Sequence, residues 1–267
     1  MSKLARKLVR SLGHRLGRLL SFEHASLISE AILETKGFGS GSDVQSSGEV
    51  HVFNHLGEAP VVFDVGGHVG DYTEALLRVR PASRVFVFEP SDSHFRLLQR
   101  RLGGRANVAL EKIGLGARSC ELPLYKIGDV AGTASLTRRR LDHLGVAMDI
   151  VESVVVRTLD EIVSQHGVES IDLLKIDVEG HELDVLNGGT KAFQDNRIKL
   201  VQFEFGGCNL DTRTTLQDFF YFFQKRDFTI ALLQRSGKIE VLPRYLEFLE
   251  QYRTTNYLAA PAGRLSV

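Results

Sequence analysis

Residues 61–70 read Val-Val-Phe-Asp-Val-Gly-Gly-His-Val-Gly and run into Asp71-Tyr72-Thr73. Val61, Val62 and Phe63 form a short apolar run suited to a buried parallel strand, which Asp64 closes. Gly66, Gly67 and Gly70 then predict a tight turn, and residues 71–79 a helix with Leu76 and Leu77 apolar and Glu74 and Arg78 polar. A strand, a glycine turn and a helix in that order constrain the fold more than any other stretch. They make a cradle for a ligand, because glycine tolerates φ > 0 and lets the backbone approach closely.

The spacing narrows the choice. A dinucleotide fingerprint needs glycines at i, i+2 and i+5, whereas this turn offers an acidic residue with glycines two and six positions later (Asp64, Gly66, Gly70). A second run, Arg84-Val-Phe-Val-Phe, ends at Glu89, 25 positions after Asp64. An acidic residue at the tip of the second strand can accept both hydroxyls of a ribose. Further strands are expected over 108–113, 171–176, 199–205 and 228–233, with helices over 92–102, 159–166, 182–187 and 214–225. Such alternation predicts a parallel sheet with helices on both faces. Pro90 and Ser91 end the second strand, and Asp92 or Ser93 is expected to cap the helix that follows.

A second polar cluster stands at the end of Ile171–Ile176, where Asp177, Val178, Glu179, Gly180, His181 and Glu182 follow at once. Ligands of open parallel sheets bind outside the carboxyl ends of the strands, which puts Asp64, Glu89, Asp177 and Glu204 along one rim. Asp177 and His181 are candidates to take a proton from an acceptor, with Glu179 and Glu204 in support. The bland alternatives are that His181 contacts helix backbone and that the whole stretch only shapes its loop. Oxygen and imidazole ligands from Asp177, Glu179, His181, Glu182 and Glu204 would suit a divalent metal. However, neighbouring loop residues diverge and no HxxxH or CxxC spacing is present, so a metal is not favoured. Lys175, inside the strand, is expected to pair with an acidic neighbour.

Asp64-x-Gly66-x-x-x-Gly70 resembles the first motif of class I S-adenosylmethionine-dependent methyltransferases. Four stretches taken together resemble the FkbM family: residues 64–73, residues 88–98 (FEPSDSHFRLL), Thr158-Leu159-Asp160, and residues 175–182 (KIDVEGHE). They come in that family's order and span roughly residues 52–260. His68 is a departure, because the family more often has a small or amide residue there. The resemblance implies a Rossmann-like, doubly wound, mostly parallel seven-stranded α/β sheet whose last strand is antiparallel. It implies methyl transfer from S-adenosylmethionine to a hydroxyl on a sugar, glycan or natural-product scaffold. Asp64, Gly66, Gly67, His68, Gly70 and Thr73 would then shape the methionine side of the cofactor site. Glu89 and Pro90 would meet the ribose, Ile113 and Gly114 would flank the adenine, and Asp177 would close the site. Two rivals stand beside this reading. A nicotinamide-dependent oxidoreductase has the glycine spacing against it. A non-catalytic methyltransferase-like binding module would be marked by loss of Asp64, Gly66 or Glu89, all of which are present.

Composition sets the outer limits. Lys and Arg (33) balance Asp and Glu (33), so no global charge draws the chain to nucleic acid. Cys120 and Cys208 lack metal spacing and fit free thiols in a reducing, cytoplasmic setting. With no run of 18 apolar residues, no transmembrane helix is expected. We divide the chain into an extension, residues 1–49, and a methyltransferase-like domain, residues 50–267. The first 22 residues carry Lys3, Arg6, Lys7, Arg10, Arg15 and Arg18 and no acid, with Leu4, Leu8, Leu12, Leu16, Leu19 and Leu20 at helical spacing. This is a basic amphipathic helix. It fits a peripheral membrane contact, a transit-type presequence, or a helix docked on the domain with a solvated basic face. Residues 37–48 read as a Gly/Ser loop, either a linker or a cover over the cofactor, and Val50–Phe53 as a short strand. Residues 120–125 and 150–156 read as a strand pair. The insertion between them, residues 128–145, carries Arg138, Arg139 and Arg140, either to meet an anionic group on the acceptor or as the solvated start of a helix. In the tail, a turn at Ser236-Gly237-Lys238 leads to a strand at 239–242, a helix over 245–252 and a strand at 256–260.

Overall fold

Strands and helices alternate through the middle of the chain, as the apolar runs require. The computed structural model describes residues 2–128 and 133–265. Its strands are β1 (Val61–Val65), β2 (Arg84–Phe88), β3 (Val108–Glu111), β4 (Gly114–Leu115), β5 (Cys120–Lys126), β6 (Ala134–Ser135), β7 (Ile150–Arg157), β8 (Leu173–Ile176), β9 (Val201–Phe205), β10 (Phe228–Leu233), β11 (Ile239–Leu242) and β12 (Thr255–Pro261). Its helices are α1 (Lys3–Gly17), α2 (Phe22–Glu34), α3 (Asp71–Val79), α4 (Asp92–Leu102), α5 (Leu159–Gln165), α6 (Glu182–Asn187), α7 (Thr190–Gln194), α8 (Cys208–Thr212) and α9 (Leu216–Gln224).

The main sheet runs β11-β10-β12-β9-β8-β1-β2-β3. The pairs from β9 to β3 are parallel, while β12 is antiparallel to both its neighbours. The order reverses at β1, which lies between β8 and β2. A crevice opens at such a point beyond the strand ends. Side chains alternate between two cores at period two. Val62, Val85 and Val87 pack with α3 and α4 through Leu76, Leu98 and Leu102. Phe63, Phe86 and Phe88 pack on the other face with α5, α6 and α9.

Among the described residues the main sheet has eight strands, not seven, because the hairpin turned by Gly237 (φ 81°) adds β11 at the edge. A second sheet, β4-β7-β5-β6, contains the expected antiparallel pair of 120–126 with 150–157. Three local expectations give way to tertiary contacts. Val50–Phe53 lies in a 3-10 helix (Glu49–His55), not a strand, since the adjacent Val52 and Phe53 are both buried and no alternation survives. Residues 245–252 hold only one 3-10 turn, Glu247–Leu249. There Glu250 accepts from Leu216 and Gln217 N–H at the start of α9 and from the Tyr245 hydroxyl, which draws it out of a helical path. Ser91, not Asp92 or Ser93, is the residue before α4, and Asp92 pairs with Arg96 and Lys112. Residues 129–132 of the arginine-bearing insertion lie outside the described residues. No helix among the described residues is long and apolar enough to cross a membrane.

The end of the extension is woven into the sheet. Gly39 N–H donates to Thr255 Oγ1, Gly41 N–H to the Thr254 carbonyl, and the buried Glu49 accepts from Gln202 Nε2 at 2.7 Å.

Candidate active site

Beyond the ends of β1 and β2 lies a cavity of about 370 Å3. Its floor is the glycine turn. Gly66 and Gly67 N–H both donate to the Phe88 carbonyl, at 2.9 and 3.0 Å, which folds the turn back over β2. Gly66 has φ 84°, and a Cβ there would meet the Asp177 carbonyl oxygen at 1.8 Å, so the turn and the β8 end touch only because this side chain is absent. Gly66→Ala is expected to cost roughly 2–5 kcal/mol, from the left-handed backbone together with overpacking. Urea unfolding checks this, and a change within experimental error would refute the close contact.

Glu89 forms the far wall. His68 N–H donates to its Oε2 at 2.9 Å and Ser91 N–H to its Oε1 at 2.8 Å, which fixes the carboxylate plane while each oxygen keeps a lone pair. Behind it the rings of His68 and His94 stand edge to face, 4.3 Å between centroids, and His94 Nδ1 lies 3.7 Å from Glu89 Oε1. The Nε2 atoms of both rings are buried without a protein partner. Burial, and then the neighbouring His94, pull the His68 imidazole down.

The near wall comes from the stretch after β8. Asp177 lines the cavity and its Oδ2 accepts from Lys175 Nζ at 3.1 Å. Lys175 also stands 3.8 Å from Asp64 and over the Tyr72 ring. Burial pulls its ammonium down, but Asp177, Asp64 and Glu49 outweigh that and hold it above its ordinary value. Glu179 sits at φ 55° and Gly180 at φ 106°, two left-handed residues in a row. They turn Glu179 into the cavity. Burial, with Asp177 beside it, pushes its carboxyl up to about 8 against the pull of Arg139. Of the six non-glycine residues with positive φ among the described residues, His68 and Glu179 line the cavity, on opposite walls, where such backbone strain is a recurrent feature of functional sites.

The expected site residues divide in two. Gly66, His68, Glu89, Pro90, Gly114, Asp177 and Glu179 line the cavity. The others stand behind it. Asp64 is fully buried, bonded by the Thr73 hydroxyl at 2.6 Å, and burial raises its carboxyl. Gly67 and Gly70 leave room for Val87 and for Leu98 and Leu102, where a Cβ would collide. Ile113 packs on the core and Gly114 alone of that pair reaches the cavity. Glu182 is a loop clamp: its carboxylate accepts from Val178 and Gly180 N–H and from Asn209 Nδ2. Glu204 is buried at the end of β9 and does not line the cavity. His181 faces an adjoining pocket that shares Leu115 and Leu136 with the cavity. Its Nδ1 bonds Asp184 at 2.8 Å and its Nε2 bonds Thr137 Oγ1 at 2.9 Å, not helix backbone. Among the described residues, no three His, Cys, Asp or Glu are placed to hold a metal ion.

Sequence reading missed His94, Ser42, Leu124 and Leu136, all in the cavity wall. His94 was within reach, being one turn before the buried Leu98 on the inner side of α4. Ser42 brings the Gly/Ser loop into the wall. Of the three arginines, Arg139 is largely buried and pairs with Glu179 at 3.0 Å and Asp211 at 3.5 Å, pinning the insertion to the β8 loop. Arg138 is exposed near Asp149.

The chain is similar to known methyltransferases. The 2-O-methyltransferase NoeI of Sinorhizobium fredii is 28% identical over 54% of this chain and 63% of its own length, so less than two thirds of that relative is matched. The hexuronic acid methyltransferase AglP of Haloferax volcanii is 28% identical over 72% of this chain and 82% of its own length. A crystal structure of methyltransferase FkbM from Methylobacillus flagellatus aligns with 19% identity and TM-score 0.48, over 76% of this chain and 44% of that one. The methyltransferase FkbM domain model matches residues 64–230, beginning at the Asp64 carboxylate near the end of β1 and continuing into β10. Since that span takes in the cradle, the Glu89 wall and the β8 loop, this chain belongs to the FkbM methyltransferase family.

Proposed function

We propose that the chain transfers a methyl group from S-adenosylmethionine to the oxygen of a hydroxylated acceptor, on a sugar, glycan or natural-product scaffold. Residues 50–267 would form the catalytic domain and residues 1–49 an extension whose end, from Gly37, packs on it. One observation carries the reading: the Gly66 turn, the doubly held Glu89 carboxylate and the acidic β8 loop converge on one cavity. The printed activities of the relatives, 2-O-methylation and hexuronic acid methylation, support a sugar hydroxyl as the acceptor.

The residues fit the cofactor. Glu89 keeps free lone pairs for two ribose hydroxyls, Gly114 and Pro90 line the cavity with it, and the Nε2 atoms of His68 and His94 are buried without a protein partner. Asp177, anchored by Lys175, presents negative charge toward a cationic methionine end. S-adenosylmethionine, when bound, supplies a methyl group already activated on a sulfonium. The protein's share is alignment and removal of the acceptor proton. Glu179 is the group placed for the second task, facing the cavity with its carboxyl near 8 and Arg139 fixing its orientation. His181, held by Asp184 and Thr137, acts at one remove by keeping the insertion on this loop.

The test is calorimetric titration with S-adenosylmethionine and S-adenosylhomocysteine, followed by transfer of labelled methyl to a panel of hexoses and uronic acids. Micromolar binding and label on an acceptor oxygen are expected. Folded protein that binds neither compound would overturn the reading, and binding without transfer to any hydroxylated acceptor would favour a non-catalytic binding module.

A further inference from the structure

The strongest feature unused by the catalytic reading is the surface of α1. Leu4, Leu8, Leu12 and Leu16 are 51–79% exposed, Val9 lies beside them, and among the described residues of α1 none is buried. The apolar surface continues through Leu19 and Phe22, at 83% and 90% exposed, to Leu27, Ile28 and Ile32 on α2. The domain does not cover this stripe, although α2 is fastened to it by Leu33, half-buried against the core, and by Arg253 against Glu30 and Glu34. A short helix gains most of its stability from packing its apolar face, so this one needs an occupant.

Charge and spacing indicate which. Six of the chain's 33 Lys and Arg lie in residues 3–18 and none of its 33 Asp and Glu precedes Glu23, so the segment is strongly cationic on an otherwise net acidic chain. At about 100° per residue, Lys3, Arg6, Lys7 and Arg10 fall on the side opposite the leucines. Arg15 alone shares the apolar arc, where a long side chain can bury its stem and keep its guanidinium at the edge. Leucines spaced by four drift about 40° at each step, so the stripe widens to roughly 120°. A coiled-coil seam between two copies would need the narrower alternation of three and four. A broad apolar arc facing a cationic one suits a helix lying in a bilayer interface.

We propose that residues 3–32 dock the protein on an anionic lipid surface, with the leucines of α1 among the acyl chains and its Lys and Arg on lipid phosphates. The acidic remainder is repelled by the same surface, so attraction rests on this segment and falls with salt.

Flotation of the full chain with vesicles of phosphatidylcholine, with and without phosphatidylglycerol, tests this. Binding to the phosphatidylglycerol vesicles alone is expected, weakened on the order of 100-fold in the Arg6→Ala, Lys7→Ala, Arg10→Ala variant and lost in Leu8→Glu, Leu12→Glu. Melting followed by circular dichroism shows that the variants are folded, since neither set touches the core. Absence of vesicle binding in the folded wild-type chain would overturn the proposal. So would a dimer in light scattering that the leucine variant dissolves, which would make a second copy the occupant.

Discussion

Replacing Glu89 by alanine is expected to weaken S-adenosylmethionine binding by about 10²–10⁴-fold. Two hydrogen bonds from ribose hydroxyls to a carboxylate, at roughly 1.5–3 kcal/mol each, set that range. The side chain is 5% exposed, and its oxygens already accept the His68 and Ser91 N–H groups, so it cannot swing aside or be replaced by water without loss. Alanine also strands those two donors, so Glu89→Gln is the companion variant. It keeps the shape and one acceptor oxygen and should retain part of the affinity. Calorimetry on both, beside circular dichroism melts, separates a binding loss from a folding loss. Unchanged affinity in folded Glu89→Ala would remove Glu89 from the cofactor site.

Glu179→Gln should lower kcat by about 10²–10⁴-fold, the usual contribution of a positioned general base, with KM for the cofactor little changed. The pH dependence adds a second signature. With its carboxyl near 8, Glu179 is protonated below that value and can accept a proton only above it. The wild-type rate should therefore climb with pH to a plateau above about 8, and the variant should lose that limb. Stability moves the opposite way. A carboxyl raised in the folded state binds more protons than in the unfolded chain between its ordinary value of 4.5 and about 8, so it opposes folding increasingly as pH rises through that window. Glu179→Gln should flatten that slope in pH-dependent melts. Glu49, raised to about 7 by burial, shares the slope and leaves part of it in place. A variant with wild-type kcat and an unchanged pH profile would refute the assignment.

Much of this protein is legible in its sequence. Residues 61–79 announce strand, turn and helix because each signal is short-range: apolar side chains for the strand, positive φ at Gly66 and Gly70, and a helical period beginning at Asp71. Glu89 can be set at the sheet's rim for the same reason, since it follows directly on the apolar run of β2. The limits appeared where one residue's role depends on a partner far along the chain. Glu49 meets Gln202 across 153 positions and Arg139 meets Glu179 across 40. Neither contact leaves a trace in local pattern, so the sequence leaves the Gly/Ser loop open between linker and cover, and the three arginines open between an anion site and a solvated helix start. The β8 loop shows the same division on a smaller scale. Sequence alone shows that Asp177, Glu179, His181 and Glu182 cluster at a strand end. That Asp177 and Glu179 face the cavity, that Glu182 ties the loop together and that His181 looks into the next pocket depends on the folded loop, in which two successive left-handed residues, Glu179 and Gly180, redirect the side chains.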